Sequence, residues 1–222
     1  TGREAREVAT TGGPGHAAEK AASPFDRAHL RARKREAVLT AAASAFNRHG
    51  FSNTSMDEVA EALNVTKPTL YRYFRNKQQI LFECHMHAMN HGEEALGLAH
   101  ATGGTGLEKF LIFARRYMQG IFGDFGTCPV LTDVDSLGSD EKAQVIERRA
   151  EISRATAEII EEGIADGSIA TCDAHLATLY TLGALNWMPL WYREDGRKTA
   201  REITEEFLVL FRRTLTAAPA ED

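Results

Sequence analysis

The chain has 222 residues, 43% hydrophobic and 26% charged, with a formal net charge of −5. That length and apolar content suit one small folded unit joined to a larger one, and exclude a chain that is disordered throughout. Three scattered cysteines, Cys84, Cys128 and Cys172, exclude a disulfide framework and point to a reducing cytoplasm, and no stretch nears the ~20 apolar residues of a membrane-spanning helix.

Residues 1–24 are rich in Gly, Ala, Thr and Glu and lack the apolar core of a signal peptide. They are expected to form a disordered extension. Arg31 to Gly50 reads as the first helix, with Leu39, Ala42, Ala43 and Phe46 as its apolar stripe and Gly50 past its end. Arg27, Arg31, Arg33, Lys34 and Arg35 precede or open it. They read either as a flexible basic arm that reaches DNA phosphates or a minor groove, or as a solvated charge run.

The stretch Thr54 to Phe74 reads as two short helices around a tight turn. Ser55 and Glu58 have capping-box spacing, and Val59, Ala60 and Leu63 recur at helical spacing. Asn64 sits at the turn, where left-handed backbone is needed, and Val65 plugs it. Thr66 is the expected cap of the next helix, with Pro68 in its first turn. Leu70 and Phe74 stand i, i+4 and should face inward, which leaves Pro68, Thr69, Tyr71 and Arg72 outward. Such a face suits a major groove: Arg reads guanine edges, and Thr meets a thymine methyl or a phosphate. Thr69 and Arg72 are the candidate readers. Thr54, Lys67, Tyr71 and Lys77 are the candidate backbone anchors, and Ser55 opens a helix N-terminus that attracts phosphate. The competing reading is an ordinary helical hairpin with a solvated face.

Asn76 to about Ala101 should be one long helix leaving this unit. Gly103 to Gly106 breaks it. Leu107 to Phe122 is helical, Phe125 to Gly138 loop-like, and Asp140 to Ala165 a long charged helix ended by Gly163 and Gly167. Asp173 caps a helix from His175 to about Met188. Thr199 and Glu202 form another capping box before a broad apolar stripe ending at Leu215. No strand pattern or internal repeat competes, so the expected fold is all-α. The expected division is 1–24 extension, 25–78 DNA-binding domain with its helix-turn-helix at 55–74, and 79–217 helical body, which the family resemblance given below makes an effector-binding and dimerisation domain.

Charge supports that division. Arg27 to Lys77 holds ten Lys and Arg against four Asp and Glu, a net of +6, whereas Gln78 to Asp222 carries −10. A basic head on an acidic body binds DNA through one end only.

Leu39 to Leu81 resembles the DNA-binding domain of the TetR family of bacterial regulators. The match runs through Ala42, Phe46, Gly50-Phe51, Thr54-Ser55, Val59-Ala60, Leu63, Val65, Thr69-Leu70-Tyr71, Tyr73-Phe74, Lys77 and Leu81. Asn64 and Pro68 depart from the small residues common in the family, and both are sterically acceptable. The DNA-contacting set is therefore Arg33, Thr54, Ser55, Thr66, Lys67, Pro68, Thr69, Tyr71, Arg72, Tyr73 and Lys77. The resemblance implies a ligand-responsive repressor of a palindromic operator, not an enzyme, and a homodimer through the last two helices. Gly183 and Ala184 permit close backbone approach there.

Phe110, Phe113, Tyr117, Phe122, Trp187 and Trp191 are the candidate lining of a hydrophobic effector site, joined by Phe125, Met188 and Tyr192; the alternative is a packed core. Trp191-Tyr-Arg-Glu-Asp-Gly-Arg197 is similar to a stretch in TetR-like regulators of fatty-acid and steroid catabolism, several of which respond to acyl-CoA thioesters. Arg115, Arg116, Arg148, Arg149, Arg193 and Arg197 are then candidate phosphate partners, or surface ion pairs. Cys84, His87 and His91 stand i, i+3, i+7 but lack a clear fourth ligand, so no metal or other cofactor is expected. No phosphate-cradling Gly loop, His-Glu-x-x-His or Gly-x-Ser-x-Gly elbow supports an enzyme with an incidental helix-turn-helix.

Overall fold

Helix N-termini leave backbone N–H groups without partners, and most starts in this chain carry a side chain that satisfies them. The computed structural model describes residues 24–123 and 133–216, with side chains from residue 28 onward. The expectations for residues 1–23, Phe125 and Cys128 lie outside them. Eight helices follow in order: α1 Pro24–His49, α2 Met56–Ala62, α3 Lys67–Tyr71, α4 Lys77–Thr102, α5 Gly106–Ile121, α6 Ser139–Ala165, α7 Ala174–Trp191 and α8 Ala200–Leu215. Among the described residues there is no strand.

The caps account for the register. Ser55 Oγ accepts from the Glu58 N–H at 3.2 Å, and the Glu58 carboxylate accepts from the Ser55 N–H at 2.6 Å. Thr105 with Glu108 and Thr199 with Glu202 repeat this box at α5 and α8. Asn76 and Asp173 cap α4 and α7 by accepting from the N–H groups of Gln79 and Leu176. In each box the capping bond to backbone holds the Glu carboxyl below its usual range. Asn64 turns the chain between α2 and α3 with φ of +51°, as its position in the motif predicts.

Two boundaries differ from expectation. α1 begins at Pro24, seven residues before Arg31, so the basic residues 27–35 belong to a helix and not to a flexible arm. Proline at a first helical position, followed by an Ala-, Leu- and Arg-rich run, favours that outcome. α7 passes through Pro189 to Trp191, where the Tyr192 N–H donates to the Met188 carbonyl at 2.9 Å and closes the last turn.

Two cores hold the helices together. The head core joins Val38, Ala42 and Phe46 of α1 with Val59, Leu70 and Phe74. It also takes Ile80, Leu81 and Cys84 from α4, Leu137 before α6 and Val145 within it. The body core is built on α5, which packs against α4, α6, α7 and α8 and buries Phe110, Phe113, Ala114 and Met118 completely. The head therefore extends beyond residue 78, into the first turns of α4 and the start of α6.

α5 and α6 meet without room for side chains. A Cβ on Gly106 would lie 2.1 Å from the Gly163 nitrogen. Gly163 thus packs inside α6 instead of ending it. The α6–α7 turn caps α5 from outside: Asp166 accepts from the Gly106 N–H at 2.7 Å and Ser168 Oγ from the Leu107 N–H at 3.1 Å.

Candidate nucleic-acid interface and effector cavity

α3 is only five residues long, too short to be stable alone. Leu70 and Phe74, 0% and 1% exposed, fix it to the head core. That anchoring leaves Thr66, Lys67, Pro68, Tyr71 and Arg72 exposed, with Thr69 half-buried beside them. Tyr71 presents 47% of its surface to solvent, unusual for a large aromatic with nothing to cover it. The Thr66 and Thr69 hydroxyls bond each other at 2.9 Å, and the Lys67 ammonium pairs with Asp57 of α2 at 2.7 Å. That pair raises the Lys67 pKa, so the cation persists at neutral pH.

The N-terminal half of α1 lies beside this face. Leu30, Arg31, Lys34, Arg72 and Tyr73 line a shallow groove of about 320 Å³. Three cations border it, and Arg33 is exposed on the same helix. Arg35 behaves differently. It pairs with Glu83 of α4, and its guanidinium lies 4.5 Å from the centre of the Phe74 ring.

Two other expected DNA contacts turn inward. Thr54 is 2% exposed, and its hydroxyl donates to the Gly50 carbonyl at 2.9 Å. The Lys77 ammonium donates to the carbonyls of Phe51, Ser52 and Thr54 at 2.6, 3.3 and 2.8 Å and lies over the Phe51 ring. An ammonium has three protons, and these acceptors use all of them. Lys77 therefore clamps the α1–α2 turn to α4, and its assignment as a phosphate anchor is corrected, as is that of Thr54.

The body contains a cavity of about 530 Å³ between α4, α5, α6 and α7. Met89, Ile152, Leu179 and Leu182 supply apolar wall, while Tyr117, Arg149, Ser153 and Asn186 supply polar groups. The Tyr117 hydroxyl donates to Asn186 Oδ1 at 2.8 Å. Burial pushes that phenol up to about 12 against the pull of the Arg149 cation, so it stays protonated. Burial also lowers the Arg149 guanidinium pKa. At its inner end Arg149 reaches His85 Nδ1 at 3.4 Å. His85 is fully buried, and burial with the neighbouring cation lowers its pKa to about 4, leaving it neutral.

Residues 38–84 match the model of bacterial regulatory proteins of the tetR family, and residues 103–215 match that of the tetracyclin repressor-like C-terminal domain. The chain belongs to the TetR family of transcriptional regulators. It is 26% identical over 159 residues to an uncharacterized HTH-type transcriptional regulator, YhgD of Bacillus subtilis, covering 67% of this chain and 78% of that protein. The crystal structure of the TetR-family regulator PfmR from Thermus thermophilus superposes with a TM-score of 0.72 at 26% identity, over 81% of this chain and 99% of that one. AibR, crystallised with isovaleryl coenzyme A and operator DNA, shares the fold with a TM-score of 0.69 at 23% identity, over 80% and 97% of the two chains.

Within this TetR chain the expected effector residues are dispersed. Of the six, only Tyr117 lines the α4–α7 cavity. Phe110 and Phe113 are 0% exposed and pack with Phe211 and Tyr117 as body core. Phe122 packs on Tyr192. Trp187 is 62% exposed on the outer face of α7. Trp191 stacks on Phe207 at the rim of a separate groove of about 540 Å³ shared with Arg193 and Arg197. Apart from Tyr117, the expected aromatics therefore mark the core and outer faces of the body, not the α4–α7 cavity. The cations divide similarly: Arg115 pairs with Glu205, Arg116 with Glu94 and Arg148 with Glu93, while Arg149 lines the cavity.

Several residues of these two candidate sites carry little signal in the sequence. Arg31 and Lys34 read there as part of a basic arm or a solvated charge run; their i, i+3 spacing on a longer α1 is the signal that joins them to Arg72. Asp57 as partner of Lys67, and Ser153 and Asn186 in the cavity wall, belong to no local motif. Cys84 packs in the head core, and His91 Nε2 sits 3.0 Å from the Arg116 carbonyl oxygen. Among the described residues these side chains do not gather into a metal-ligand set.

Proposed function

We propose that the chain is a repressor that binds a palindromic operator as a homodimer and is released by a small hydrophobic effector held in the α4–α7 cavity. The observation that carries this reading is the exposed Thr66–Arg72 face, held from behind by Leu70 and Phe74 and flanked by Arg31, Lys34 and Arg33. Thr69 and Arg72 read base edges; Lys67, Tyr71 and the backbone at Ser55 set register on phosphates, with Pro68 and Tyr73 shaping the surface.

The body surface supports the dimer. Leu176, Leu179, Tyr180, Trp187 and Leu190 of α7, with Val209 and Leu210 of α8, are each 43–62% exposed. An apolar face of that extent is costly in water and suits a four-helix interface between two copies. A two-fold pair of heads then reads two half-sites about one helical turn apart. Work on operator DNA implies the bacterial cytoplasm, and no helix among the described residues is long and apolar enough to cross a membrane.

α4 supplies the link between effector and DNA. Its start lies in the head core through Ile80, Leu81 and Cys84, and Met89 forms cavity wall further along the same helix. A ligand that prefers one setting of α4 shifts the spacing of the paired heads, provided it binds the non-DNA-binding state more tightly. Isovaleryl coenzyme A in the related AibR structure supports acyl-CoA thioesters as one effector class to test. The test is selection of duplexes from a random pool, followed by release of the bound duplex by acyl-CoAs and free fatty acids. Failure of every compound to shift melting temperature or release DNA overturns the lipid-effector reading.

A further inference from the structure

We propose that the groove between the end of α7, the loop that follows it and α8 is a second small-molecule site, one for an amphipathic anion: a flat apolar body carrying one carboxylate or sulfonate. It shares no lining residue with the α4–α7 cavity and does not depend on that cavity's role.

The first observation is an apolar lining open to solvent. The groove encloses about 540 Å³, within the range of small-molecule sites. Ile203 is buried in its wall and Phe207 half-buried, while Trp191 and Leu210 remain 43% and 50% exposed. The Trp191 and Phe207 rings lie within 18° of parallel, and Phe207 is braced edge-on by the buried Phe211. Aromatic walls held in this way offer a flat apolar group a large contact area.

The second observation is charge. Arg193, Arg197 and Lys198 line the groove against one carboxylate, Glu206. Lys198 already pairs with Glu206. Among the described residues neither Arg193 nor Arg197 forms an ion pair or a side-chain hydrogen bond. Glu194 and Asp195, in the same loop, line no part of the groove. Two unanswered guanidiniums therefore border an apolar wall, on a body that is acidic at −10. A guanidinium fork matches an oxyanion in paired hydrogen bonds.

The third observation is how the loop brings the arginines together. The Gly196 N–H donates to the Arg193 carbonyl at 3.0 Å, and a Cβ on Gly196 would lie 2.9 Å from that oxygen, so the turn is tight. Three residues later Thr199 starts α8 through its capping box with Glu202. Turn and cap fix both ends of the loop, and Arg193 and Arg197 border one groove.

A second copy of the chain is the rival occupant, because Leu210 also belongs to the face proposed for dimerisation. That face is apolar and would leave both guanidiniums unanswered. An amphipathic anion satisfies the apolar wall and the cations together.

The experiment uses the full chain and two matched probes: anilinonaphthalene sulfonate, and phenylnaphthylamine, which has the same apolar body without the charge. The chain has two tryptophans, so Trp187→Phe leaves Trp191 as the single emitter. Quenching of Trp191 should saturate at a roughly three- to thirtyfold lower concentration of the sulfonate than of the neutral probe, the range for two exposed charge contacts. Added salt should shrink that advantage. Arg193→Gln combined with Arg197→Gln should abolish it and leave melting temperature and operator binding unchanged. The corresponding pair of Lys substitutions should keep part of it. Ser153→Leu, which crowds the α4–α7 cavity, should leave the quenching intact. No quenching, equal response to both probes, or a preference that survives the paired Gln substitutions overturns the proposal. Quenching that vanishes at concentrations where sedimentation shows a dimer also overturns it, with a second copy as the occupant. Loss of quenching in Ser153→Leu assigns the anion to the α4–α7 cavity, which overturns the second site and leaves the effector reading standing.

Discussion

The head and the body of this regulator hide and expose opposite kinds of side chain. The head hides polar groups in bonds to its own backbone and to neighbouring rings and carboxylates: Thr54 on the Gly50 carbonyl, Lys77 on three carbonyls, Arg35 on Glu83 and the Phe74 ring. What remains outside is a compact polar face around one aromatic, Tyr71. The body hides Phe110, Phe113 and Phe211 and exposes aliphatic and aromatic groups along α7 and α8. The difference teaches where function sits in each. In the head, the polar and charged residues left exposed after structural bonding are the ones proposed to meet DNA. In the body, the aromatics hold structure, and the candidate effector cavity is walled by aliphatic and polar groups from four helices.

The largest expected effect breaks the body alone. Phe113→Ala removes a fully buried ring between Phe110 and Tyr117 and should cost about 3–5 kcal/mol, read as a large drop in melting temperature. Leu70→Ala should instead abolish DNA binding while body helices keep their hydrogen-exchange protection. A head variant that melts the whole chain would make the two regions one cooperative unit.

Acid should come next. His85 is neutral in the folded chain, with its pKa lowered from 6.5 to about 4, so the unfolded chain binds the proton more readily. Its contribution is intact above pH 6.5 and is lost as pH falls towards 4, by up to about 3 kcal/mol. Denaturant melts at a series of pH values should show this slope, and His85→Leu should flatten it.

Val145→Ala tests the place where the regions join. Val145 sits on α6 in the body but is completely buried in the head core. The substitution should cost about 2 kcal/mol, and the amides of α2 and α3 should lose protection before those of α5.

The smallest stability effect is expected at Lys67, and its contrast with Lys77 sharpens the division of labour. Lys67→Met breaks only an exposed pair with Asp57, so the melting temperature should barely move, yet DNA binding should weaken and the salt slope fall by about 1. Lys77→Met should lower stability by about 1–3 kcal/mol, with any loss of affinity following from that. Reversed outcomes would restore Lys77 as the phosphate anchor.

Most of the helical frame is legible in the residues themselves because caps and periodicity are local. The Ser55–Glu58 and Thr199–Glu202 boxes, the turn at Asn64 and the inward Leu70–Phe74 pair all form as their spacing dictates. The start of α1 is less legible, because a run of arginines fits a solvated helix and a loose arm equally well. The body site is the least legible. Its lining comes from four helices distant in sequence, and nothing local distinguishes Arg149 from Arg148 beside it. Only packing decides that Arg148 meets Glu93 while Arg149 turns into a cavity.

The central claim is that the α3 face reads DNA as a two-fold pair. The direct measurement is titration of the duplex most enriched from a random pool against a scrambled duplex, with wild type and Tyr71→Ala. The expected result is two inverted half-sites about one helical turn apart, bound on the order of a thousand-fold or more above the scrambled duplex and markedly weakened in Tyr71→Ala. Enrichment of no sequence, or an enriched site bound equally well by Tyr71→Ala, would contradict it.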